Sequence, residues 1–412
     1  MRNFIEKMKS AGLVETVTEP TSANLEAARK AFGAEKMLLF ENLDGRRCVM
    51  NTVFDRKSLA IALNIPETEI VRRLAKATFS GTVREAGELA FAKPDLFALP
   101  ILKHFPKDGG NYITAGVVFS AFDGVENASI HRLMVKDATH LVGRIVEGRH
   151  TDKLMKAAFA KGERLPVAIA IGCHPAVTFA ACTRVPEGCE MKYAAEILGH
   201  PLGVYRCPNG ICVPDAEIVL YGWITQDSAK EGPFVDISGT YDPVRMQPVI
   251  EIAGMYTKPD YIYHALIPAG AEHKMLMGAP YEPRIFQAVS AGVNVKDVYL
   301  TKGGAGYFHA VIQIKKMTEG DAKNAIMAAF GAHTSLKHVV VVDEDIDIYN
   351  PEDVEFAIAT RVRADKDILV ISGVRGSSLD PCRIGDGLNV KAGVDATYPL
   401  GEAENYIRAE IN

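Results

Sequence analysis

The stretch KEGPFVDISGTY, residues 230 to 241, holds the first residues able to do acid–base chemistry. Glu231 and Asp236 sit five positions apart around a Gly-Pro pair. Glycine and proline favour turns, so this stretch is not expected to continue a regular helix or strand. Two neighbouring carboxylates split their pKa values, so that one holds a proton near neutral pH while the other stays charged. A nearby arginine would keep one of them ionised. The competing reading is two solvated loop acids, the commoner fate of Asp and Glu.

A second polar cluster is NASIHRLMVKD, residues 127 to 137. On a strand, Asn127, Ser129 and His131 share one face, and Ala128, Ile130 and Arg132 the other. Such a face lines a pocket or meets water. Further on, EGRHTDK places His150 at a helix start, where Thr151 or Asp152 could cap. Glu190 follows in the small-residue helical segment GCEMKYAAEILG. Asparagine, histidine and glutamate together suit a hard divalent cation such as Mg²⁺ or Mn²⁺. Their wide separation leaves structural roles the more economical reading.

Other chemistries lack their patterns. Cys207 and Cys212 in CPNGIC have no matching second pair, and Cys173, Cys182 and Cys189 have no zinc-like spacing. GGAG, residues 303 to 306, precedes a strand rather than following one, so the dinucleotide fingerprint is absent. DEDID, residues 343 to 347, reads as a solvated acidic strand end. There is no G-x-S-x-G elbow.

The elements that must position these residues fall into three regions. Residues 1–100 alternate helix and strand signals: NLEAARKAFG, RKSLAIALNI and ETEIVRRLAKATF read as helices and MLLFENL as a buried strand. Residues 101–283 change texture. NYITAGVVFSAF, AVTFAACTRV, EIVLYGWI and PVIEIAGMY are short, β-branched and punctuated by turn residues. They predict a mostly antiparallel β domain, barrel-like, interrupted by the helix TDKLMKAAFAKG. Residues 284–412 return to α/β alternation through AVIQIKK, DAKNAIMAAFGA, HVVVVDEDI, EDVEFAIATRV and DILVISG, with GEAENYIRAEIN as a terminal helix.

Bulk properties narrow the function classes. The 412 residues are 48% hydrophobic and 24% charged, ordinary for a multidomain globular protein. A net charge of -5 gives no electrostatic reason to expect nucleic acid or an anionic membrane. No stretch reaches the roughly 20 apolar residues of a membrane span. The charged N-terminus is unlike a signal peptide, and seven scattered cysteines do not form a disulfide framework, which together predict a reduced cytoplasmic compartment.

Longer blocks are familiar. VPDAEIVLYGWI followed by KEGPFVDISGTY, with MLLFENLDG before them and GGAGYFHAVIQIKK, LKHVVVVDEDIDIYN and GLNVKAGVDAT after, resembles the UbiD family of decarboxylases over nearly the whole chain. The resemblance implies a multidomain α+β and α/β fold with a central split β-barrel that binds prenylated FMN, and a C-terminal α/β domain that mediates homo-oligomerisation, as a dimer or multiples of dimers. It implies an acid–arginine–acid network in which Glu231, Arg132 and Asp236 are catalytic, Asp236 being the proton donor and acceptor. It implies that Asn127, His150 and Glu190 hold Mn²⁺ or Mg²⁺ against the cofactor phosphate, with K⁺ as a second ion. Ser129, Ile130, Arg132 and Arg149 match cofactor-lining positions, and Lys337 a lysine that reaches the phosphate. A flavin prenyltransferase would supply the cofactor.

The chain departs from the family pattern in places. EGPFGE reads EGPFVD here, so Asp236 is one methylene shorter than glutamate and Val235 replaces a glycine. Tyr221 stands where many relatives have glutamate, and CTRVP is one residue shorter than its counterpart, around the flavin contacts expected near Thr183 and Arg184. VRGSSLDP, residues 374 to 381, is most like archaeal members. This leads to anhydromevalonate phosphate, an isoprenoid precursor, as the expected substrate. Arg184 and Arg245 are the basic residues considered for its phosphate. An aromatic or heteroaromatic acid, a non-catalytic flavin-binding subunit and a conventional FMN oxidoreductase are the alternatives.

Overall fold

The computed structural model describes residues 1–409 other than Ile384 and Asp386. The chain divides into two compact units, residues 1–67 with 77–276, and residues 68–76 with 277–412. In the first unit a four-stranded sheet contains Val14–Val17, Met37–Leu43, Arg46–Met50 and Ile262–His264. Its strand Met37–Leu43 is the run read as buried, and Leu38, Phe40 and Leu43 enter the main core.

The larger sheet of this unit has eight strands. Their order is Tyr112–Ile113, Leu133–Val135, His140–Gly143, Arg245–Thr257, Ile218–Glu231, Leu165–Ile171, Val117–Phe122 and Val125–Ile130. Its assigned pairings are antiparallel. Among the described residues the sheet is not closed into a barrel: Tyr112–Ile113 and Val125–Ile130 are its two ends. The central strands Ile218–Glu231 and Leu165–Ile171 contribute Ile218, Leu220, Ile224, Leu165, Val167, Ile169 and Ile171 to one core, the alternation that a sheet buried on that face requires.

AVTFAACTRV, expected to add a strand, is a helix instead, Pro175–Cys182. Proline occupies its first turn and the His174 side chain accepts from Ala176 N (3.2 Å). Pro175 through Ala181 are all buried. A helix apolar on every side shows no 3.6-residue period, and a short apolar run of this kind cannot be told from a strand by pattern. Among the described residues the central region thus carries four complete helices rather than one: His150–Ala160, Pro175–Cys182, Glu190–Leu198 and Ala271–Gly278.

The second unit holds a five-stranded sheet in the order Val295–Leu300, His309–Ile314, His338–Val342, Leu388–Ala396, Ile368–Arg375. Ala310 and Ile312 face one core with Val339 and Val341, while Val311 faces the other with Val340 and Val342. Helices Glu282–Ser290 and Asp321–Ala332 cover the first face and Pro351–Arg361 the second. The expected terminal helix is only a 3₁₀ turn at Ala403–Tyr406, and the last three residues of that segment lie outside the described residues.

Candidate active site

Strand ends bring the acids and the arginine together. The strand Ile218–Glu231 runs seven residues past the EIVLYGWI segment and takes in Lys230 and Glu231, which were not expected to continue a strand, with Glu231 opposite Arg245 in register. The chain then bends at Gly232, whose φ of +96° lies in the left-handed region where only glycine is unstrained. An added Cβ there would meet Pro243 O at 3.2 Å. Asp236 opens a tight turn, closed by Gly239 N to Asp236 O (2.8 Å) and Asp236 N to Thr240 O (3.1 Å). Arg132 sits in the break between strands Val125–Ile130 and Leu133–Val135.

The Arg132 guanidinium is the hub. Its Nε and Nη2 donate to the two oxygens of Glu231 (2.9 and 3.0 Å), a bidentate pair. Nη1 donates to Asp236 Oδ2 (3.2 Å) and Nη2 also to Asp242 Oδ2 (2.8 Å). Its carbon lies 5.0 Å from the Phe234 ring centre. Burial opposes the Arg132 charge, but the Glu231 and Asp242 carboxylates outweigh it and hold the group above its ordinary pKa. Glu231 is wholly buried, whereas the Asp236 side chain keeps 22% of its surface. The network therefore has one acid sealed in and one acid facing out.

Two supports escaped sequence reasoning. Tyr112 Oη donates to Glu231 Oε1 (3.1 Å) and accepts from Gly232 N (3.1 Å), with its ring 4.3 Å from Phe234. Burial, then the Glu231 charge, push its phenol well above the ordinary value. Gly109 N donates to Pro233 O (2.8 Å), and a Cβ at Gly109 would sit 2.2 Å from Gly232 O. Asp242 is the third carboxylate on Arg132, and it also binds Arg245 Nη1. Burial raises the Asp242 pKa, but the Arg245 and Arg132 hydrogen bonds pull it below the ordinary value. No spacing rule singles out a tyrosine 119 residues before its partner, or an aspartate in the two-residue strand Tyr241–Asp242.

His273 also lies within electrostatic reach of Asp236. Its Nδ1 accepts from Ala269 N (3.0 Å), which leaves the other ring nitrogen as the N–H donor of the neutral ring. Burial lowers its pKa, and the Asp236 and Glu272 carboxylates oppose this.

The polar face of Val125–Ile130 forms a second cluster. Asn127 Nδ2 donates to Ser129 Oγ (3.2 Å) and Thr151 Oγ1 (3.1 Å). His131 Nε2 meets the same two hydroxyls at 2.9 and 3.0 Å, and its Nδ1 meets Arg144 O at 3.1 Å. A carbonyl only accepts, so Nδ1 carries the proton and Nε2 accepts from a hydroxyl. Burial lowers His131 to about 4, keeping it neutral. With Nδ2 committed, the Asn127 amide presents Oδ1 as its free acceptor.

Glu190, first residue of its helix, lines a pocket together with Asn127, Ser120, Glu126 and Cys212. Glu190 Oε1 is 3.9 Å from His150 Nδ1. Burial raises the Glu190 pKa to about 7. Neither Thr151 nor Asp152 caps the helix that begins at His150; the cap position is Arg149, without a side-chain bond. Thr151 turns into the polar cluster, and Asp152 Oδ2 accepts from Gly148 N (2.8 Å). Arg149 is exposed, Ile130 is half-buried at its strand end, and Arg184 is exposed. Lys337 belongs to the second unit, where its Nζ pairs with Asp380 (3.0 Å).

The donors fit a hard cation in part. Among the described residues no three His, Cys, Asp or Glu side chains group for a metal. An asparagine oxygen, a buried carboxylate and an imidazole are each donors that a hard cation accepts, and three of them would leave positions for non-protein oxygens such as those of a phosphate. A buried carboxylate with a raised pKa is a group that a divalent cation would relieve.

Comparison with known proteins gives the family. Residues 77–271 match the 3-octaprenyl-4-hydroxybenzoate carboxy-lyase Rift-related domain, residues 274–396 the corresponding C-terminal domain and residues 5–78 the N-terminal domain. The anhydromevalonate phosphate decarboxylase of Methanosarcina mazei is 52% identical over 416 residues, covering 100% of this chain and 99% of its own. The protein of that name from Methanothermobacter thermautotrophicus is 45% identical, covering 99% of both chains. Among solved structures, the UbiD-class enzyme HmfF from Pelotomaculum thermopropionicum in complex with FMN superposes with a TM-score of 0.95 at 36% identity, covering 100% of this chain and 97% of its own. An evolved dimeric form of the same enzyme in complex with prFMN gives 0.91 at 34% identity, covering 100% and 96%. The chain belongs to the UbiD family.

Proposed function

We propose that this protein is a prenylated-FMN-dependent carboxy-lyase that removes CO₂ from an α,β-unsaturated acid, trans-anhydromevalonate 5-phosphate. The observation that carries the reading is the Arg132 hub, with Glu231 sealed behind it and Asp236 facing out. A module that only binds a flavin has no use for that arrangement. Whole-length relatives named for anhydromevalonate phosphate support the substrate. The flavin-bound neighbours support the cofactor.

Loss of CO₂ from an sp² carbon leaves charge on carbon, and the bound modified flavin supplies the electron sink for it. The chain's own residues do the rest. Glu231 and Tyr112 fix the Arg132 plane, so that Arg132 orients the substrate carboxylate. The C–C bond breaks, CO₂ departs, and the Asp236 carboxyl gives its proton to the carbon left behind. A solvent proton then restores Asp236. His273, within electrostatic reach of Asp236, carries its N–H on the ring nitrogen that does not accept from Ala269 N.

Asn127, His150 and Glu190 would hold Mn²⁺ or Mg²⁺ against the flavin phosphate, with Ser129, Ile130 and Arg149 along the flavin and Lys337 as a further phosphate cation. Every one of these residues except Lys337 lies in the central segment 101–283. K⁺ as second ion, a flavin prenyltransferase as supplier and a cytoplasmic setting complete the proposal. Among the described residues no helix is long and apolar enough to cross a membrane. Self-association is supported by the edge strand Ile368–Arg375, which exposes Ile368 and Val370 beside Leu388 and Val390 of its neighbour. Exposed apolar edge strands invite pairing with another copy.

The test is CO₂ release from a panel of acids by protein co-produced with a flavin prenyltransferase, without oxygen, with Mn²⁺ and K⁺. Turnover of anhydromevalonate phosphate is expected. Turnover of aromatic acids alone would discard the substrate, and no CO₂ from any acid with modified flavin bound would contradict the reaction.

A further inference from the structure

Three arginines converge at one end of the eight-stranded sheet. Extending the register Leu133↔Gly143 by one step sets Arg132 opposite Arg144, and Arg144 N donates to Arg132 O (3.1 Å). Extending Val249↔Val142 sets Arg144 opposite Gln247, two residues from Arg245. Directly opposed residues project from the same face of a sheet, where like charges are destabilising. Glu231, Asp236 and Asp242 satisfy Arg132, and Asp242 also satisfies Arg245. Arg144 is left over. Its side-chain hydrogen bond is Nη1 to its neighbour Ile145 O (3.0 Å), and among the described residues it forms no ion pair. The side chain is half-buried, and burial, then Arg245 and Arg132, act against its charge.

A half-buried guanidinium with free N–H donors, repelled by two others, is stabilised when an oxyanion arrives to balance it. We propose that Arg144 binds a phosphate monoester on the substrate, while Arg132 orients the carboxylate that is lost. This rests on the decarboxylase reading above and assigns the recognition of its second charged group. Of the two basic residues considered from sequence, Arg184 is exposed and Arg245 is committed to Asp242, which leaves the task to a residue no motif marked. The flavin's phosphate is the other source of such an oxyanion. The charged neighbours of Arg144 are Arg245, Arg132, Asp242 and Glu231, all of the acid network and none of the Asn127, His150 and Glu190 group.

The experiment compares wild type with Arg144→Gln and Arg144→Lys, all cofactor-loaded. Inorganic phosphate is first titrated in and followed by ³¹P NMR. Wild type binds it, Arg144→Gln binds it at least about tenfold more weakly, and Arg144→Lys falls between. Then kcat/KM is measured for anhydromevalonate phosphate and for its unphosphorylated analogue. The ratio of the two falls at least about tenfold in Arg144→Gln, the size of a charge-assisted hydrogen bond to a half-buried guanidinium. An unchanged ratio, or phosphate binding unaltered by the substitution, overturns the inference. Loss of flavin absorbance in Arg144→Gln would assign the residue to the cofactor and overturn it too. If wild type fails to turn over the phosphorylated acid, the proposed function falls, while the phosphate titration still decides the role of Arg144.

Discussion

Tyr112→Phe removes one oxygen and nothing else from the site. That oxygen donates to the buried Glu231 carboxylate and accepts from Gly232 N, each at 3.1 Å. A hydrogen bond to a charged group contributes about 1.5–3 kcal/mol and a neutral one about 0.5–1.5 kcal/mol. Tyr112 and Glu231 are both fully buried, so water cannot replace the lost hydroxyl without opening the packing against Phe234. The expected loss is therefore roughly 2–4 kcal/mol of folding stability, read from urea unfolding with an unchanged m-value. Activity should fall as well. Glu231 keeps its bidentate pair with Arg132 but loses the group that fixes its other side, so kcat is expected to drop about tenfold, equivalent to roughly 1.4 kcal/mol of transition-state stabilisation. Flavin content should be unchanged. A Tyr112→Phe protein with wild-type stability and wild-type kcat would refute the claim that this hydroxyl anchors the acid network.

Further outcomes follow from the same geometry. Arg132→Met strands a buried Glu231 without its cation, which is expected to cost about 3–5 kcal/mol, measured by chemical denaturation. His104 is fully buried, with neither ring nitrogen hydrogen-bonded, and burial lowers its pKa from 6.5 to about 3. The unfolded chain takes up a proton below pH 6.5 that the folded chain refuses until about pH 3. Stability from this group is thus lost as pH falls through that window, and His104→Phe should shrink the difference in unfolding free energy between pH 7 and pH 4.5 by roughly 2.5 kcal/mol. Val370→Lys places a charge on the exposed edge strand and should reduce the solution mass measured by light scattering, whereas an unchanged assembly would move the interface elsewhere.

Much of the fold was legible because its elements carry strong local signals. Met37–Leu43 and Asp321–Ala332 appear with the bounds that pattern suggested. Pro175–Cys182 was misread because burial on every side erases helical periodicity. ETEIVRRLAKATF shrinks to a 3₁₀ turn and the short helix Ile70–Leu74, a boundary that propensity does not set. The site divides the same way. Glu231 and Asp236 drew notice through a Gly-Pro loop, and Asn127, Ser129 and His131 through alternation, and each set does assemble. Tyr112, Asp242, Arg144 and His273 reach the site through strand register and tertiary packing. Nothing in their own neighbourhoods distinguishes them from ordinary core or surface residues.

The most direct test of the account is CO₂ release from anhydromevalonate phosphate by wild type and Asp236→Asn, matched for bound modified flavin and assayed without oxygen. Asparagine keeps the size of the side chain and an oxygen for Arg132 but carries no acidic proton. The account predicts turnover by wild type and loss of nearly all steady-state CO₂ release in the variant, with flavin content equal. Equal turnover by both proteins would contradict Asp236 as the proton donor, and turnover by neither would contradict the reaction itself.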